Sequence, residues 1–299
     1  MNGILIIDKP DGITSHDVVS RVRRILKTKR VGHTGTLDPF ATGVMVVLVG
    51  QATRLAQFLD KDIKEYEALV RFGFETDTGD RTGTPTVTGQ DLPSTPQIER
   101  ALPEFTGEIQ QTPPMYSAKK IDGKKLYELA RKGETVERKA ITVTIHELIL
   151  SEPPVVTGGL SDGLETAIIR VKCSAGTYIR TLAEDIGRKI GCGAHLSELR
   201  RTAAGKFTFR EIITLEQLEM LEDPATALIP MIKAVSHMPE FVLPEDRVDK
   251  TQNGLLTRTP TLDFPDGEPI RMVDEEGELV AIGFFDAAEK FIQPKVVLV

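Results

Sequence analysis

The sequence predicts an α+β fold with a mixed or antiparallel sheet, because strand and helix patterns follow one another without strict alternation. The chain has 299 residues, of which 40% are hydrophobic and 27% charged, as in a globular protein of about two domains. Near residue 240 the character changes to an acidic stretch with several prolines and strand patterns. We therefore expect a main domain over residues 1–239 and a small β-rich module over residues 240–299.

Individual elements follow from apolar runs, alternation and capping residues. Strands are expected at residues 3–7, 43–50, 66–72, 141–150, 166–172 and 279–285. Helices are expected from a Thr14–Ser15 cap to Leu26, at residues 52–59, 124–131 and 215–221, and from a Thr177 cap to about Ile190. Residues 73–96 are rich in glycine, threonine, aspartate and proline, and are interpreted as a long mobile loop.

Composition and missing motifs argue against several classes of protein. Two cysteines are too few for a disulfide framework or a four-cysteine zinc site, and they suit a reducing cytoplasm. The five histidines lack zinc-binding spacing, so no metal is expected. The apolar runs are too short to span a membrane, and the N-terminus lacks the basic start of a secretory signal. We therefore expect a cytoplasmic protein.

The distribution of charge is more informative than the net charge of −7. Residues 240–299 carry 13 acidic and 6 basic side chains, whereas residues 1–239 are neutral overall. Three basic groups occur in that neutral part, within residues 21–30, 119–139 and 188–210. Each group alone is typical of a solvated helix face, and the three together modestly favour a surface that binds a polyanion.

The most informative segment is residues 32–43, which read Gly-His-Thr-Gly-Thr-Leu-Asp-Pro-Phe-Ala-Thr-Gly. Glycines on both sides allow the backbone to approach a ligand closely. Asp38 precedes Pro39, which favours an extended conformation at Asp38. Two other interpretations stay open: Asp38 as the N-cap of a one-turn helix that ends at Gly43, or Gly32-x-x-Gly35 as a backbone clamp for RNA.

This segment resembles the signature of the TruB-type pseudouridine synthases, the tRNA pseudouridine-55 synthase family. Further matching segments lie at residues 2–5, 8–12, 64–66, 76–80, 115–118, 124–128, 176–182, 191–196 and 199–202. One departure is Phe40, where the family often has leucine, and it preserves the apolar character. The resemblance implies a catalytic domain of pseudouridine synthase type, and it loosely relates the C-terminal module to the RNA-binding PUA module.

The resemblance implies that the protein isomerises uridine 55 in the T loop of tRNA to pseudouridine. This reaction is redox-neutral, so no cofactor is expected. Asp38 would be the catalytic carboxylate acting on a flipped-out base, and Arg180 would keep it ionised against the cost of desolvation. Tyr66 would stack on the detached base. Whether Asp38 attacks the base or the sugar, or acts as a base, stays open.

Supporting roles follow from the same resemblance. Tyr178 and Leu199 would form walls of the pocket, although Leu199 is equally suited to a core position. His33 would fill the position that the flipped base vacates, and Lys9 would contact phosphate or brace the pocket. Asp80 is a weaker assignment to substrate binding. The expected partner is tRNA, bound by a monomer with no membrane and no obligatory protein partner.

Two alternative functions are compatible with the same residues. A non-catalytic RNA-binding or RNA-chaperone protein would bind RNA on this surface without turnover. A carboxylate-based hydrolase would need a second catalytic aspartate or glutamate near Asp38. Hydrolysis changes the mass of the substrate and isomerisation does not, so product analysis separates these functions.

Overall fold

The computed structural model of this protein describes residues 1–59, 63–88, 91–117, 119–121, 123–130, 132–134, 136–151, 165–259 and 264–298. Strands and helices are mixed along these ranges, which confirms the predicted α+β class. None of the helices in these ranges is long and apolar enough to cross a bilayer. The same ranges contain no group of three side chains suited to holding a metal ion.

Strands and helices are numbered here in chain order. The strands are β1 Gly3–Lys9, β2 Val31–Thr34, β3 Thr42–Val49, β4 Lys64–Phe72, β5 Phe74–Thr76, β6 Pro85–Thr88, β7 Gly107–Gln111, β8 Lys120–Ile121, β9 Lys124–Lys125, β10 Ile141–Leu150, β11 Thr166–Cys173, β12 Ala194–Ala204, β13 Phe207–Thr208, β14 Ile212–Ile213, β15 Glu240–Val242, β16 Thr257–Arg258, β17 Pro269–Val273, β18 Leu279–Asp286 and β19 Phe291–Val297. The helices are α1 Ser15–Ile25, α2 Ala56–Leu59, α3 Thr95–Ala101, α4 Leu126–Ala130, α5 Ile179–Ile190, α6 Leu215–Met220, α7 Met231–Ala234 and α8 Glu245–Gln252. Turns of 3₁₀ helix cover Gly50–Leu55, Leu102–Phe105, Phe209–Glu211 and Pro224–Ala227.

A large mixed sheet forms the centre of the molecule. Its strands lie in the order β14–β1–β3–β12–β4–β11–β10–β7, with β2 paired to β3 and β13 paired to β12. Most neighbours are antiparallel, whereas β12 is parallel to β3, pairing Arg200 with Thr42 and Arg201 with Gly43. This parallel contact brings the middle of β12 next to the segment that leads into β3.

Strands β1 and β3 are buried on both faces, as their unbroken apolar runs predict. On one face, Leu5 and Met45 join the main core with residues of α1 and α5. On the other face, Ile4 and Val44 join a second core that includes Leu279 of the C-terminal sheet. Strand β4 differs, because it alternates buried and half-buried positions along its length.

The C-terminal region forms a separate sheet of five strands in the order β15–β17–β18–β19–β16, which confirms the predicted β-rich character. This sheet begins at Glu240. The division into domains at residues 239 and 240 stays a prediction, because the two sheets share an apolar layer. The C-terminal side of that layer contains Val273, Leu279, Ile282, Val296 and Leu298.

Helix α1 begins where the capping residues predict. Thr14 is its N-cap, and the Thr14 hydroxyl accepts a hydrogen bond from the Asp17 amide at 3.1 Å. The Asp17 carboxylate in turn accepts one from the Thr14 amide at 2.8 Å, which completes a capping box. The helix packs Val18 and Val22 into the main core.

The interpretation of residues 73–96 as one mobile loop is wrong. Strands β5 and β6 pair in this segment, and α3 begins at Thr95. The turn between the two strands is ordered by its polar side chains: the Asp77 carboxylate accepts a hydrogen bond from the Thr84 amide at 2.8 Å. Aspartate and threonine stabilise tight turns in this way, so their abundance did not mean disorder. Residues 89 and 90 lie outside the described residues.

Other boundaries also shift. Residues 52–59 divide into a 3₁₀ turn and the short helix α2. Residues 124–131 give strand β9 and then α4, with residue 131 outside the described ranges. Helix α5 begins at Ile179 with Tyr178 as N-cap, because the Thr177 hydroxyl instead donates back to the Ser174 carbonyl at 2.8 Å.

Candidate active site

Asp38 lies in the segment that connects β2 to β3. The one-turn helix considered for this segment does not form: the Ala41 amide donates to the Asp38 carbonyl at 3.1 Å in a single turn, and β3 begins at Thr42. Ser15, at the start of α1, fixes the position of Leu37, the residue before Asp38. Its hydroxyl accepts from the Leu37 amide at 2.8 Å and donates to the Leu37 carbonyl at 3.0 Å.

Lys9 supports the other side of the segment that connects β2 to β3. Its side chain is fully buried at the end of β1. The ammonium donates to the carbonyls of Pro39 at 3.0 Å, Ala41 at 2.7 Å and Pro10 at 2.8 Å. Burial lowers the pKa of Lys9 to about 8, although nearby Asp11 and Asp38 oppose that change. Lys9 therefore braces the loop, and its burial leaves no direct route to a phosphate.

Arg201 of β12 fixes both ends of the same segment. Its side chain is 1% exposed, and it donates to the carbonyls of Val44 at 2.6 Å and Gly35 at 3.1 Å. Gly43 allows the backbones of β3 and β12 to lie close together at Arg201. Its φ is +99°, and a Cβ at this position would lie 2.2 Å from the Arg201 carbonyl oxygen. Arg201 lies in the basic group at residues 188–210, but its side chain is buried, so it belongs neither to a solvated face nor to a polyanion-binding surface.

Arg180, in the first turn of α5, holds the Asp38 carboxylate. Its Nε lies 3.0 Å from Asp38 Oδ2, and its Nη2 lies 3.3 Å from Asp38 Oδ1. The guanidinium also donates to the carbonyls of Thr78 at 2.8 Å and Tyr116 at 2.6 Å. Because Arg180 is 5% exposed and contacts three separate segments, its position is fixed before any ligand binds.

Asp80 is a second carboxylate on the same guanidinium. Its Oδ2 lies 3.6 Å from Arg180 Nη1. Its Oδ1 accepts hydrogen bonds from the Thr78 hydroxyl at 2.9 Å, the Thr82 amide at 2.9 Å and the Thr82 hydroxyl at 2.5 Å. With these partners already in place, Asp80 is suited to orient Arg180 and poorly suited to exchange protons with a substrate.

A cavity of about 290 Å³ opens in front of Asp38. Its lining includes Asp38, Tyr66, Tyr178, Arg180 and Leu199. This volume lies at the small end of the range for ligand sites in proteins. The Asp38 side chain keeps 34% of its surface accessible, so a ligand in the cavity reaches its carboxylate.

Burial and the nearby Arg180 cation have opposite effects on the pKa of Asp38. Burial raises the pKa of Asp38 above its ordinary value, and the Arg180 guanidinium opposes that rise. The nearby Asp80 carboxylate adds to the rise. For Tyr66, burial raises the pKa of the phenol and the Arg201 guanidinium opposes it. Tyr66 therefore stays a neutral aromatic side chain in this wall.

The structure brings five of the eight residues singled out in the sequence into one cavity. His33, Lys9 and Asp80 are not among its lining residues. His33 lies on β2, two residues before Gly35, which does line the cavity. Lys9 and Asp80 instead form the support behind Asp38 and Arg180.

Gln111, at the end of β7, is a buried side chain that the sequence analysis missed. Its side-chain oxygen accepts from the Tyr178 amide at 2.9 Å, and its side-chain nitrogen donates to the Tyr178 carbonyl at 3.2 Å. These two bonds fix the backbone at the start of α5, where Arg180 projects. A single glutamine at a strand end gives no sequence signal for such a role.

Comparison with known proteins assigns the class. Residues 23–179 match the family described as "TruB family pseudouridylate synthase (N terminal domain)". Residues 180–240 match the "tRNA pseudouridylate synthase B C-terminal domain". Together with the fold and the cavity, these matches define the protein as a pseudouridylate synthase, an isomerase.

Named relatives are similar in sequence over nearly the whole chain. The protein named "tRNA pseudouridine synthase B" from Solibacter usitatus (strain Ellin6076) is 46% identical, with 95% of each chain covered. The protein of the same name from Bacillus subtilis (strain 168) is 40% identical, with 100% of this chain and 98% of the relative covered. The chain therefore belongs to the TruB family.

Solved structures support the fold. The crystal structure of a Cbf5-Nop10-Gar1 complex contains a chain that matches with a TM-score of 0.74 and 30% identity, covering 99% of this chain and 85% of that one. The structure of an H/ACA RNP bound to a substrate RNA containing 2′-deoxyuridine matches with a TM-score of 0.74 and 28% identity, with the same coverage. The overall fold is thus shared with chains of these two complexes.

Proposed function

We propose that the protein converts uridine 55 in the T loop of tRNA to pseudouridine, with Asp38 as the catalytic carboxylate. The observation that carries this proposal is the Asp38–Arg180 ion pair at the wall of a cavity that Tyr66 also lines. The names of the relatives, tRNA pseudouridine synthase B, support tRNA as the substrate. The choice of uridine 55 rests on the resemblance of the sequence motifs.

The reaction breaks the N1–C1′ bond of uridine and forms a C5–C1′ bond. N1 gains a proton and the proton on C5 leaves to solvent, so no electrons are gained or lost. An ionised carboxylate beside C1′ serves either as nucleophile or as base. Arg180 opposes the pKa rise that burial imposes on Asp38 and fixes the direction of the carboxylate.

The uridine must leave the stacked loop to reach Asp38, because the carboxylate lies inside a cavity. Extrusion of a base from a stack costs a few kcal/mol, which other contacts with the RNA must offset. Tyr66 offers an aromatic surface that stacks on a base whatever its orientation. Tyr178 and Leu199 complete the walls of the cavity.

His33 lies outside the cavity on β2, so we infer that it contacts the RNA loop that the uridine leaves. Lys9 and Asp80 act indirectly, by bracing the Asp38 loop and orienting Arg180. The likeness of the C-terminal sheet to a PUA module, the monomeric state and the cytoplasmic location stay predictions.

The two competing functions fit the site less well. An RNA chaperone does not require an arginine that is 5% exposed and paired with a carboxylate inside a cavity. A hydrolase would use a second carboxylate, and Asp80 shares the Arg180 guanidinium with Asp38. Asp80 already accepts three hydrogen bonds and faces the Arg180 guanidinium, so it is not available as a second acid or base.

The test is incubation of the protein with unmodified tRNA, followed by nucleoside analysis and by tritium release from uridine labelled at C5. We expect one pseudouridine per tRNA with unchanged mass, and none in a tRNA that carries cytidine at position 55. Binding without product would favour the chaperone, and a change of mass would favour the hydrolase. Product at another uridine would overturn the assignment to position 55.

A further inference from the structure

The hydroxyl of Ser117 is buried in the candidate site without a hydrogen-bond partner among the described residues. Ser117 is 6% exposed and lies in the segment between β7 and β8. Buried hydroxyls almost always have a partner in folded proteins, because leaving one unpaired is unfavourable. Packing alone therefore does not explain a serine at this position.

Ser117 lines the same cavity as Asp38. The carbonyl of the preceding residue, Tyr116, accepts a hydrogen bond from Arg180 Nη2 at 2.6 Å. The same nitrogen lies 3.3 Å from Asp38 Oδ1. One guanidinium nitrogen thus connects the backbone next to Ser117 to the Asp38 carboxylate. A nucleotide that contacts Asp38 consequently comes within reach of the Ser117 side chain.

We propose that the Ser117 hydroxyl hydrogen-bonds an uncharged oxygen of the uridine held at Asp38 and thereby positions it. This inference rests on the proposed function, and it concerns the same cavity. A phosphate would instead be attracted to the lysines that line the cavity, Lys64 and Lys119. The remaining oxygens of the nucleotide are the uracil carbonyls and the ribose 2′-hydroxyl.

The chemistry of uracil suits one rotatable hydroxyl. Turning the base over about its N3–C6 axis exchanges N1 with C5 and O2 with O4. The edge that carries an oxygen, N3–H and an oxygen therefore presents the same pattern before and after the turn. A serine hydroxyl both donates and accepts, so it keeps a partner in uridine and in pseudouridine.

The main test compares Ser117→Ala, Ser117→Cys and Ser117→Thr with the unaltered protein. We expect kcat to fall about tenfold for alanine and for cysteine, whose thiol is a weak donor of nearly the same shape. Threonine retains the hydroxyl and most of the activity. The Kd for tRNA is expected to stay unchanged, because contacts with phosphates dominate the affinity.

Thermal unfolding separates this role from a structural one, with Ser15 as the matched control. Ser15 is also buried, but its hydroxyl is bonded to both backbone groups of Leu37. Ser15→Ala is expected to lower the Tm, whereas Ser117→Ala leaves the Tm unchanged or raises it. A loss of Tm for Ser117→Ala equal to that for Ser15→Ala would overturn the proposal.

The oxygen involved is identified with an RNA stem-loop that carries 2′-deoxyuridine at the target position. If the effect of Ser117→Ala on the single-turnover rate persists with this RNA, the partner is a uracil carbonyl; if it vanishes, the partner is the 2′-hydroxyl. Unchanged kcat and KM for both Ser117→Ala and Ser117→Cys would overturn the proposal. A lack of pseudouridine formation by the unaltered protein would instead overturn the proposed function.

Discussion

Adjacent positions on β1 and β12 carry charged residues with opposite surroundings. Asp8 and Arg200 form a bidentate ion pair at 3.0 Å and 2.8 Å, and their side chains are 25% and 38% exposed. Lys9 and Arg201, one residue further along each strand, are almost fully buried. Side chains alternate across a strand, so a step of one residue moves a charge from a partly exposed position to the support of the Asp38 loop.

The same contrast applies to the two aspartate–arginine pairs. Asp38 and Arg180 are joined by two contacts of similar length to those of Asp8 and Arg200. They differ in the burial of the arginine, because Arg180 is 5% exposed and Arg200 is 38% exposed. Distance between charges therefore does not distinguish the two pairs, whereas burial of the guanidinium does. Asp8 and Arg200, the outer pair, provide the control for three predictions on the inner residues Asp38, Arg180 and Arg201, and a fourth concerns the outer pair itself.

The largest effect is expected from Asp38→Asn compared with Asp8→Asn. Asparagine preserves the shape of Asp38 but removes the charge that the reaction needs, so kcat should fall by about 1,000-fold. The Kd for tRNA should stay the same, and Asp8→Asn should retain nearly full activity. Both are measured by tritium release and by filter binding. Turnover by Asp38→Asn would contradict the catalytic assignment.

The next effect is on stability, for Arg201→Met compared with Arg200→Met. Methionine fills similar space, but at position 201 it leaves the buried Val44 and Gly35 carbonyls without their donor. The free energy of unfolding should fall by about 3 kcal/mol for Arg201→Met. Arg200→Met should change it by less than about 1 kcal/mol. Urea denaturation measures both, and equal losses would show that the two faces do not differ.

A smaller effect is expected from Arg180→Lys, with Arg200→Lys as the control. Lysine keeps the charge but not the fork of two contacts, so kcat should fall about tenfold. It also opposes the effect of burial less well, so the pKa of Asp38 should rise further. If Asp38 acts as proposed, activity needs the ionised carboxylate and is lost as the pH falls. The acid limb of kcat/KM should therefore move to higher pH in Arg180→Lys alone.

The smallest effect is the coupling between Asp8 and Arg200. Because both side chains are partly exposed, a double-mutant cycle of Asp8→Asn and Arg200→Gln should give a coupling energy of roughly 0.5 kcal/mol. The coupling should decrease further at high salt, which screens exposed charges. A coupling energy of several kcal/mol would mean that this pair is as strongly shielded from water as Arg180 and Arg201 are.

Much of the fold could be predicted from local patterns. The apolar runs at residues 3–7 and 43–50 indicated buried strands, and the structure has β1 and β3 there. The Thr14 cap and the alternation in β4 were equally clear. The turn between β5 and β6 was not, because the same polar residues are found in ordered turns and in mobile loops.

The candidate site could be predicted only in part. Asp38 and Arg180 are 142 residues apart in the chain, so only the resemblance to a family brought them together before the structure did. The positions of Arg201 and Lys9 depended on strand register, which decides whether a basic residue faces solvent or the core. The position of the Ser117 hydroxyl, which has no hydrogen-bond partner in the described part of the chain, depended on tertiary contacts that no sequence pattern encodes.

The apolar layer shared by the two sheets has a consequence for any shortened version of the chain. A fragment that stops before Glu240 would lose Val273, Leu279, Ile282, Val296 and Leu298 from the second core, which also contains Val44, Val46 and Leu48 of β3. Such a fragment would expose part of this apolar layer to water and would be prone to aggregate. The terminal sheet thus contributes to the stability of the main sheet through this shared core, whatever it does with RNA.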